Sequence, residues 1–286
     1  MQRYLFLGEV DSMDDTLFLR FLYKTVVGRC LLKIIAQPAI SKIAGCFLDS
    51  KLSKVIIPYF TKKNNIVLDD IDIPNSGFSS FNDFFKRKKK VDMYNKVAEG
   101  MISPCDGFLS IIKIDKNSIF DIKHTTFTVD ELLGDKDFAE EFYDGVALIY
   151  RLTPANYHRY CYITDGKIIK KKVIPGKLYC VRPIATRTMP VFVQNAREYQ
   201  VINSEKYGNV VQMEIGATMV GKITNNDKFD INTEVKMGEE KGYFEFGGST
   251  IVVLLKKDVV EIDESLIDNE KSQREIIVNI GQAIAK

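Results

Sequence analysis

Between residues 101 and 255 the apolar residues come in short runs, and this constrains the fold more than any other feature of the chain. Residues 108–114, 146–152, 160–163, 168–174, 191–193, 210–215 and 251–255 are apolar or alternating, and each is too short for a buried helix. Turn-forming sequences separate them: Pro104-Cys105-Asp106-Gly107, Asp165-Gly166, Pro175-Gly176, Tyr207-Gly208-Asn209 and Asn225-Asn226-Asp227. Short runs joined by short connections predict antiparallel strands, because a parallel pair needs a crossover of a dozen residues or more. Residues 135–142 read as an intervening helix, and 237–242 as a charged turn. The expected fold class is α+β: a β-rich, mainly antiparallel domain preceded by an N-terminal amphipathic helical segment.

That N-terminal segment has a different character. Across residues 16–63, Phe, Leu, Ile and Val recur mostly at helical spacing, with nine basic residues against one acidic, Asp49. Pro38 and Pro58 interrupt the pattern, so two or three amphipathic helices are expected. Cationic amphipathic helices suit an anionic membrane surface; the plainer alternative is a helical layer packed on a core with solvated lysines. No apolar run approaches the roughly 18–20 residues needed to span a bilayer. Glu9, Asp11, Asp14 and Asp15 argue against a secretory signal. Residues 64–74 form an acidic linker. The expected division is therefore residues 1–64, a membrane-association segment, and 65–286, the β-rich domain.

A net charge of +2 gives no electrostatic case for nucleic acid, and none is expected as a partner. Five cysteines without a CxxC pair argue against a disulfide framework or a zinc site, and no metal is expected. Only His124 and His158 are available as bases near neutral pH.

Three segments carry the parts of a serine-centred site. Ser103-Pro104-Cys105-Asp106-Gly107 presents Asp106 at a tight turn. Tyr157-His158-Arg159-Tyr160-Cys161 presents His158. Phe246-Gly247-Gly248-Ser249-Thr250 presents Ser249 beside the unshielded peptide of Gly248. A base that removes a hydroxyl proton and an acid that orients the base would activate Ser249. Spacing alone leaves open whether the three meet, and the last segment also reads as a hairpin tip.

Seven segments resemble, in order, those of the phosphatidylserine decarboxylase proenzymes. They are Phe81-Asn82-Asp83-Phe84-Phe85-Lys86-Arg87, Ser103-Pro104-Cys105-Asp106-Gly107, Tyr157-His158-Arg159, Pro175-Gly176-Lys177-Leu178-Tyr179, Asn195-Ala196-Arg197, Gly216-Ala217-Thr218-Met219-Val220-Gly221, and Lys241-Gly242-Tyr243-Phe244-Glu245-Phe246-Gly247-Gly248-Ser249-Thr250. The resemblance implies that Ser249 attacks the Gly248 carbonyl, with Asp106 and His158 taking its proton. The chain then splits into a β chain of residues 1–248 and an α chain of residues 249–286, which stay together as a heterodimer. It further implies a pyruvoyl cofactor derived from Ser249, which forms a Schiff base with phosphatidylserine and releases carbon dioxide to give phosphatidylethanolamine. A peripheral membrane protein on the cytoplasmic face of the cell membrane is the matching location. Deleting residues 1–63 is expected to spare self-cleavage while weakening binding to anionic vesicles.

Two positions depart from the family's usual pattern. Gly247 replaces the leucine of a Leu-Gly-Ser-Thr motif. Cys161 stands where many members carry a second histidine, which leaves His158 as the favoured base. Arg159, Arg197 and the basic run 86–90 receive no role toward lipid phosphate. Three other readings are a pyruvoyl decarboxylase of a free amino acid, a non-enzymatic membrane-bound β-domain, and a thiol hydrolase using Cys161 and His158. The last is disfavoured because those two lie close along one strand or loop.

Overall fold

The computed structural model describes residues 4–6, 17–90, 100–115, 119–122, 125–186, 188–217, 223–247, 249–261 and 274–285. Among the described residues, nine strands form the principal sheet, in spatial order Tyr4–Phe6, Arg274–Val278, Gly107–Lys113, Val146–Leu152, Ser249–Leu255, Gly208–Gly216, Arg197–Ser204, Gly166–Ile174 and Glu234–Val235. Every pairing in it is antiparallel. The central strand Ser249–Leu255 is buried along its whole length, which its β-branched and aliphatic residues suit.

A smaller antiparallel sheet, Ile223–Asn225, Glu240–Phe244 and Arg159–Cys161, covers one face near the end of strand Gly208–Gly216. Gln212 bonds Cys161 O and Ile163 N, and Glu214 pairs with the wholly buried Lys241. A side chain at Gly242 would collide with Thr224 O, so glycine permits this close pairing.

Strands expected at 146–152, 168–174, 210–215 and 251–255 form within two residues of those limits. Two expectations fail, and one strand is absent from the expected set. Residues 191–193, read as a strand, belong to a helical turn, Val191–Gln194. The Asn195 N–H bonds Val191 O, and Arg197 holds Val193 O, so local capping overrides β propensity. Arg197–Ser204 forms a strand that polar residues disguised. Glu240–Phe244, read partly as a charged turn, is a strand because Lys241 is neutralised inside by Glu214.

The N-terminal segment folds as helices Leu17–Lys24, Val26–Ile35, Pro38–Asp49 and Ile56–Lys63, with a 3-10 turn at Lys51–Val55. Thr25 Oγ1 caps the second helix by accepting from Gly28 N at 2.9 Å, and Pro38 opens the third. The helices turn their small residues inward: Gly28, Ser41, Gly45 and Ser53 are buried. A Cβ at Gly28 would strike Phe21 O where the first two helices cross. Leu22, Tyr23, Leu32 and Leu48 also point inward, whereas other bulky residues face out, with Leu17 85%, Leu52 75%, Val26 70% and Ile43 68% exposed. No single described helix is long and apolar enough to cross a membrane; only the pair Val26–Ile35 and Pro38–Asp49, bent by 62°, passes together.

These helices are not a separate layer. Leu22, Tyr23, Leu32 and Ala36 belong to the same core as the principal sheet. Tyr23 Oη accepts from Cys180 N, Ala36 O from Leu178 N, and Ser53 Oγ from Phe81 N. Phe60 packs edge-on against Phe81 and Phe246, at 5.0 and 5.9 Å between centroids. Deleting residues 1–63 would strip these contacts, so that truncation does not isolate membrane binding.

Candidate active site

Ser249 opens the central strand, opposite Leu152 on one side and Gly216 on the other. Directly opposed residues share a face, and alternate residues along a strand do too. Ser249 therefore faces the same way as Gly216, Glu214 and Gln212, toward the layer of the small sheet. Its side chain is wholly buried, and Oγ has no hydrogen-bond partner among the described residues. An unsatisfied buried hydroxyl is unfavourable and calls for an explanation, of which a catalytic role is one. Gly248 lies outside the described residues; Phe246 and Gly247 before it are described.

His158 leads into the strand Arg159–Cys161, and its carbonyl accepts from Phe244 N at 3.0 Å. The imidazole is wholly buried. Nδ1 lies 2.9 Å from Asn156 O. A carbonyl only accepts, so Nδ1 carries the proton and the neutral ring offers Nε2 as an acceptor. Nε2 has no partner among the described residues. Burial, with the nearby Arg87 cation, lowers the pKa of His158 from 6.5 to about 3, against the Asn156 bond. The ring is therefore an unprotonated base at neutral pH.

The short helix Phe81–Phe85 joins these two regions. Ser80 caps it by accepting from Asp83 N at 3.1 Å. Phe85 stacks on His158, with 4.0 Å between centroids, and meets Phe246 edge-on at 5.0 Å. Asn82 Oδ1 accepts from Phe246 N at 3.4 Å, while its Nδ2 donates to Asp49 Oδ1 at 3.0 Å. Arg87 donates to the carbonyls of Phe85, Ala155 and Asn156. The sequence marks this segment as part of a motif, but nothing in it assigns Asn82, Phe85 or Arg87 a role at the site. An arginine within a basic run resembles a solvated residue until its burial is seen.

The third expected residue is placed differently. Asp106 Oδ1 accepts from Ile280 N at 2.8 Å, and Oδ2 lies 3.8 Å from Lys89 Nζ. Asp106 makes no hydrogen bond to His158; Asn156 O holds Nδ1 instead. Cys161 closes against the same turn, with its N–H bonding Pro104 O at 2.9 Å. Its thiol is wholly buried and burial raises its pKa, so it is neither a base nor a thiolate at neutral pH. Its Sγ approaches Pro104 O rather than His158, which counts against the thiol-hydrolase reading. His124 lies outside the described residues.

The remaining motif residues brace this centre. Asn195 Nδ2 donates to Gly216 O and Tyr179 O, both at 2.8 Å, fixing the strand end opposite Ser249. Arg197 is spent on four carbonyls, and Arg159 on Glu240 and Lys86 O. A cavity of about 520 Å³ adjoins the site, walled by Leu22, Leu32, Leu152, Phe246, Gly247 and the exposed Phe18.

Comparison with known proteins identifies the family. The family model described as phosphatidylserine decarboxylase matches residues 81–286. The chain is 40% identical to phosphatidylserine decarboxylase proenzyme 2 of Clostridium acetobutylicum over 272 residues, covering 94% of this chain and 91% of that protein. It is 36% identical to the phosphatidylserine decarboxylase proenzyme of Clostridium perfringens, covering 96% and 95%. The corresponding proenzyme of Ruminiclostridium cellulolyticum is also 36% identical, covering 96% and 93%.

Proposed function

The chain belongs to the phosphatidylserine decarboxylase family, and from that membership we propose that it cuts itself between Gly248 and Ser249 and then decarboxylates phosphatidylserine to phosphatidylethanolamine. The observation that carries this reading is a pair of buried, unpartnered atoms, Ser249 Oγ and His158 Nε2, in segments joined through Phe85. A hydroxyl and an imidazole acceptor, both shielded from water, are what proton removal from serine requires.

His158 Nε2 accepts the Ser249 hydroxyl proton, and Oγ attacks the Gly248 carbonyl carbon. The C–N bond breaks and the proton passes to the released nitrogen, leaving an ester. Loss of the Ser249 Cα proton then breaks the Cβ–Oγ bond and frees the Gly248 carboxylate. Water replaces the nitrogen, ammonia leaves, and residue 249 ends as a pyruvoyl group. Ser249 fits this conversion: it is buried, its Oγ is unengaged, and the facing Gly216 has no side chain to crowd it. The pyruvoyl group supplies the carbonyl that takes the substrate amine and draws off the electrons left when carbon dioxide departs. Leu152 and Phe246 wall the cavity at this end of the sheet, and in this reading His158 holds or returns a proton.

The two fragments form a heterodimer in this reading. Strand Ser249–Leu255 lies between Val146–Leu152 and Gly208–Gly216, and Arg274–Val278 lies between Tyr4–Phe6 and Gly107–Lys113. Self-cleavage breaks one bond but leaves both ladders in place. The outward-facing Leu17, Val26, Val27 and Ile43, set among basic residues, support docking on an anionic membrane. We assign the docked protein to the cytoplasmic face, which its five cysteines without a CxxC pair suit.

Supplying phosphatidylserine in vesicles and free serine in parallel tests the substrate. Phosphatidylethanolamine from the wild-type protein, and none from Ser249→Ala, is the expected result. Carbon dioxide from free serine with the lipid untouched would transfer the activity to a soluble amino acid.

A further inference from the structure

Arg87 is only 5% exposed, and no carboxylate is bonded to it among the described residues. Its guanidinium lies 5.2 Å from the centre of the Phe84 ring. Nη1 donates to Phe85 O at 3.4 Å, and Nη2 to Ala155 O at 3.4 Å and Asn156 O at 3.2 Å. Nε is buried and has no hydrogen-bond partner among the described residues. Burying a cation is unfavourable unless its donors are satisfied, and here main-chain carbonyls take Nη1 and Nη2. The carbonyls that Arg87 holds belong to residues just before His158, and one of them, Asn156 O, is the acceptor of the His158 Nδ1 proton.

We infer that Arg87 is a positioning residue for self-cleavage: by fixing the Ala155 and Asn156 carbonyls it pins the His158 proton on Nδ1 and keeps Nε2 bare. The role resembles that expected of Asp106, with a main-chain carbonyl in place of the carboxylate. Two donors converge on Asn156 O, Arg87 Nη2 and His158 Nδ1. Removing the guanidinium frees the 155–156 peptide to turn, and the imidazole then has no fixed tautomer. The Arg87 charge adds to this, because it disfavours protonation of the ring beside it. Lysine retains that charge but lacks the planar fork that spans two carbonyls.

The inference rests on the self-cleavage proposed above, so its test includes a readout that needs no cleavage. With two histidines in the chain, the imidazole nitrogens of the Ser249→Ala proenzyme can be assigned by 15N NMR with His124→Gln as control. His158 is expected as the Nδ1–H tautomer, and Arg87→Met as a mixture of both. In the Ser249 background, Arg87→Met should slow self-cleavage by roughly 10–100-fold, at or below the low end of the range for a positioned proton acceptor, because the acceptor itself is kept. Arg87→Lys should restore less than half of the lost rate. A folded Arg87→Met protein with the original tautomer and rate overturns the inference. If Arg87→Met does not fold, Arg87→Lys decides: the original tautomer and rate overturn it, and a tautomer mixture with slowed cleavage supports it. A wild-type chain that never cleaves would count against the proposed function but leave the tautomer result standing.

Discussion

The Phe85 ring lies on the His158 imidazole, with 4.0 Å between centroids and 35° between planes. Its edge contact with Phe246 means that one aromatic side chain backs both the base and the loop entering Ser249. Phe85 is wholly buried, as are Phe81 and Phe84 beside it. The Phe81–Phe85 helix thus acts as a wedge between the small sheet and the N-terminal helices.

Phe85→Ala should destabilise the Ser249→Ala proenzyme by about 3–5 kcal/mol, the usual loss for a buried phenylalanine. Phe85→Leu keeps most of the volume and should recover much of that stability but not the rate of self-cleavage. Denaturant titration and cleavage kinetics separate the two effects. Wild-type cleavage in Phe85→Leu would show that the stack serves packing alone.

The buried state of His158 makes stability depend on pH. The folded protein holds the ring neutral down to a pKa of about 3, while the unfolded chain protonates it near 6.5. Between these values the unfolded state binds the extra proton, so stability falls as pH falls, with a slope approaching about 1.4 kcal/mol per pH unit. His158→Gln in the Ser249→Ala background should flatten that slope between pH 6.5 and 4. Equal slopes in the two proteins would show that the imidazole is not held neutral by burial.

Membrane docking is testable without truncation, because the outward residues are distinct from those that brace the site. Replacing Leu17, Val26, Val27 and Ile43 together with serine should leave self-cleavage intact. Cosedimentation with phosphatidylserine-containing vesicles should weaken at least about tenfold, since burying a single Leu or Val side chain contributes roughly 1.5–3 kcal/mol. Undiminished binding would remove the helices' outer face from the membrane contact.

Local pattern made the strands legible where apolar residues run uninterrupted, as at Val146–Leu152 and Ser249–Leu255. It failed at Glu240–Phe244, where Lys241 reads as a surface charge until Glu214, 27 residues away, is seen beside it. The residue types of the site were legible too, through Ser249 and His158. Their neighbours were not, because Asn82 to Phe246 and Arg87 to Asn156 are contacts across 164 and 69 residues. The amphipathic helices were recognised, but their orientation was not. Gly28, Ser41, Gly45 and Ser53 set it, since small residues let those helices sit close to their neighbours and turn bulky side chains outward.

The central claim is that Ser249 converts itself, and intact mass under denaturing conditions tests it most directly. Wild type should give two fragments, residues 1–248 and 249–286, the smaller with a ketone in place of its N-terminal amine; Ser249→Ala should give one chain. A single uncut wild-type chain, folded and bound to vesicles, would contradict the account and leave a membrane-docked β-domain without this chemistry.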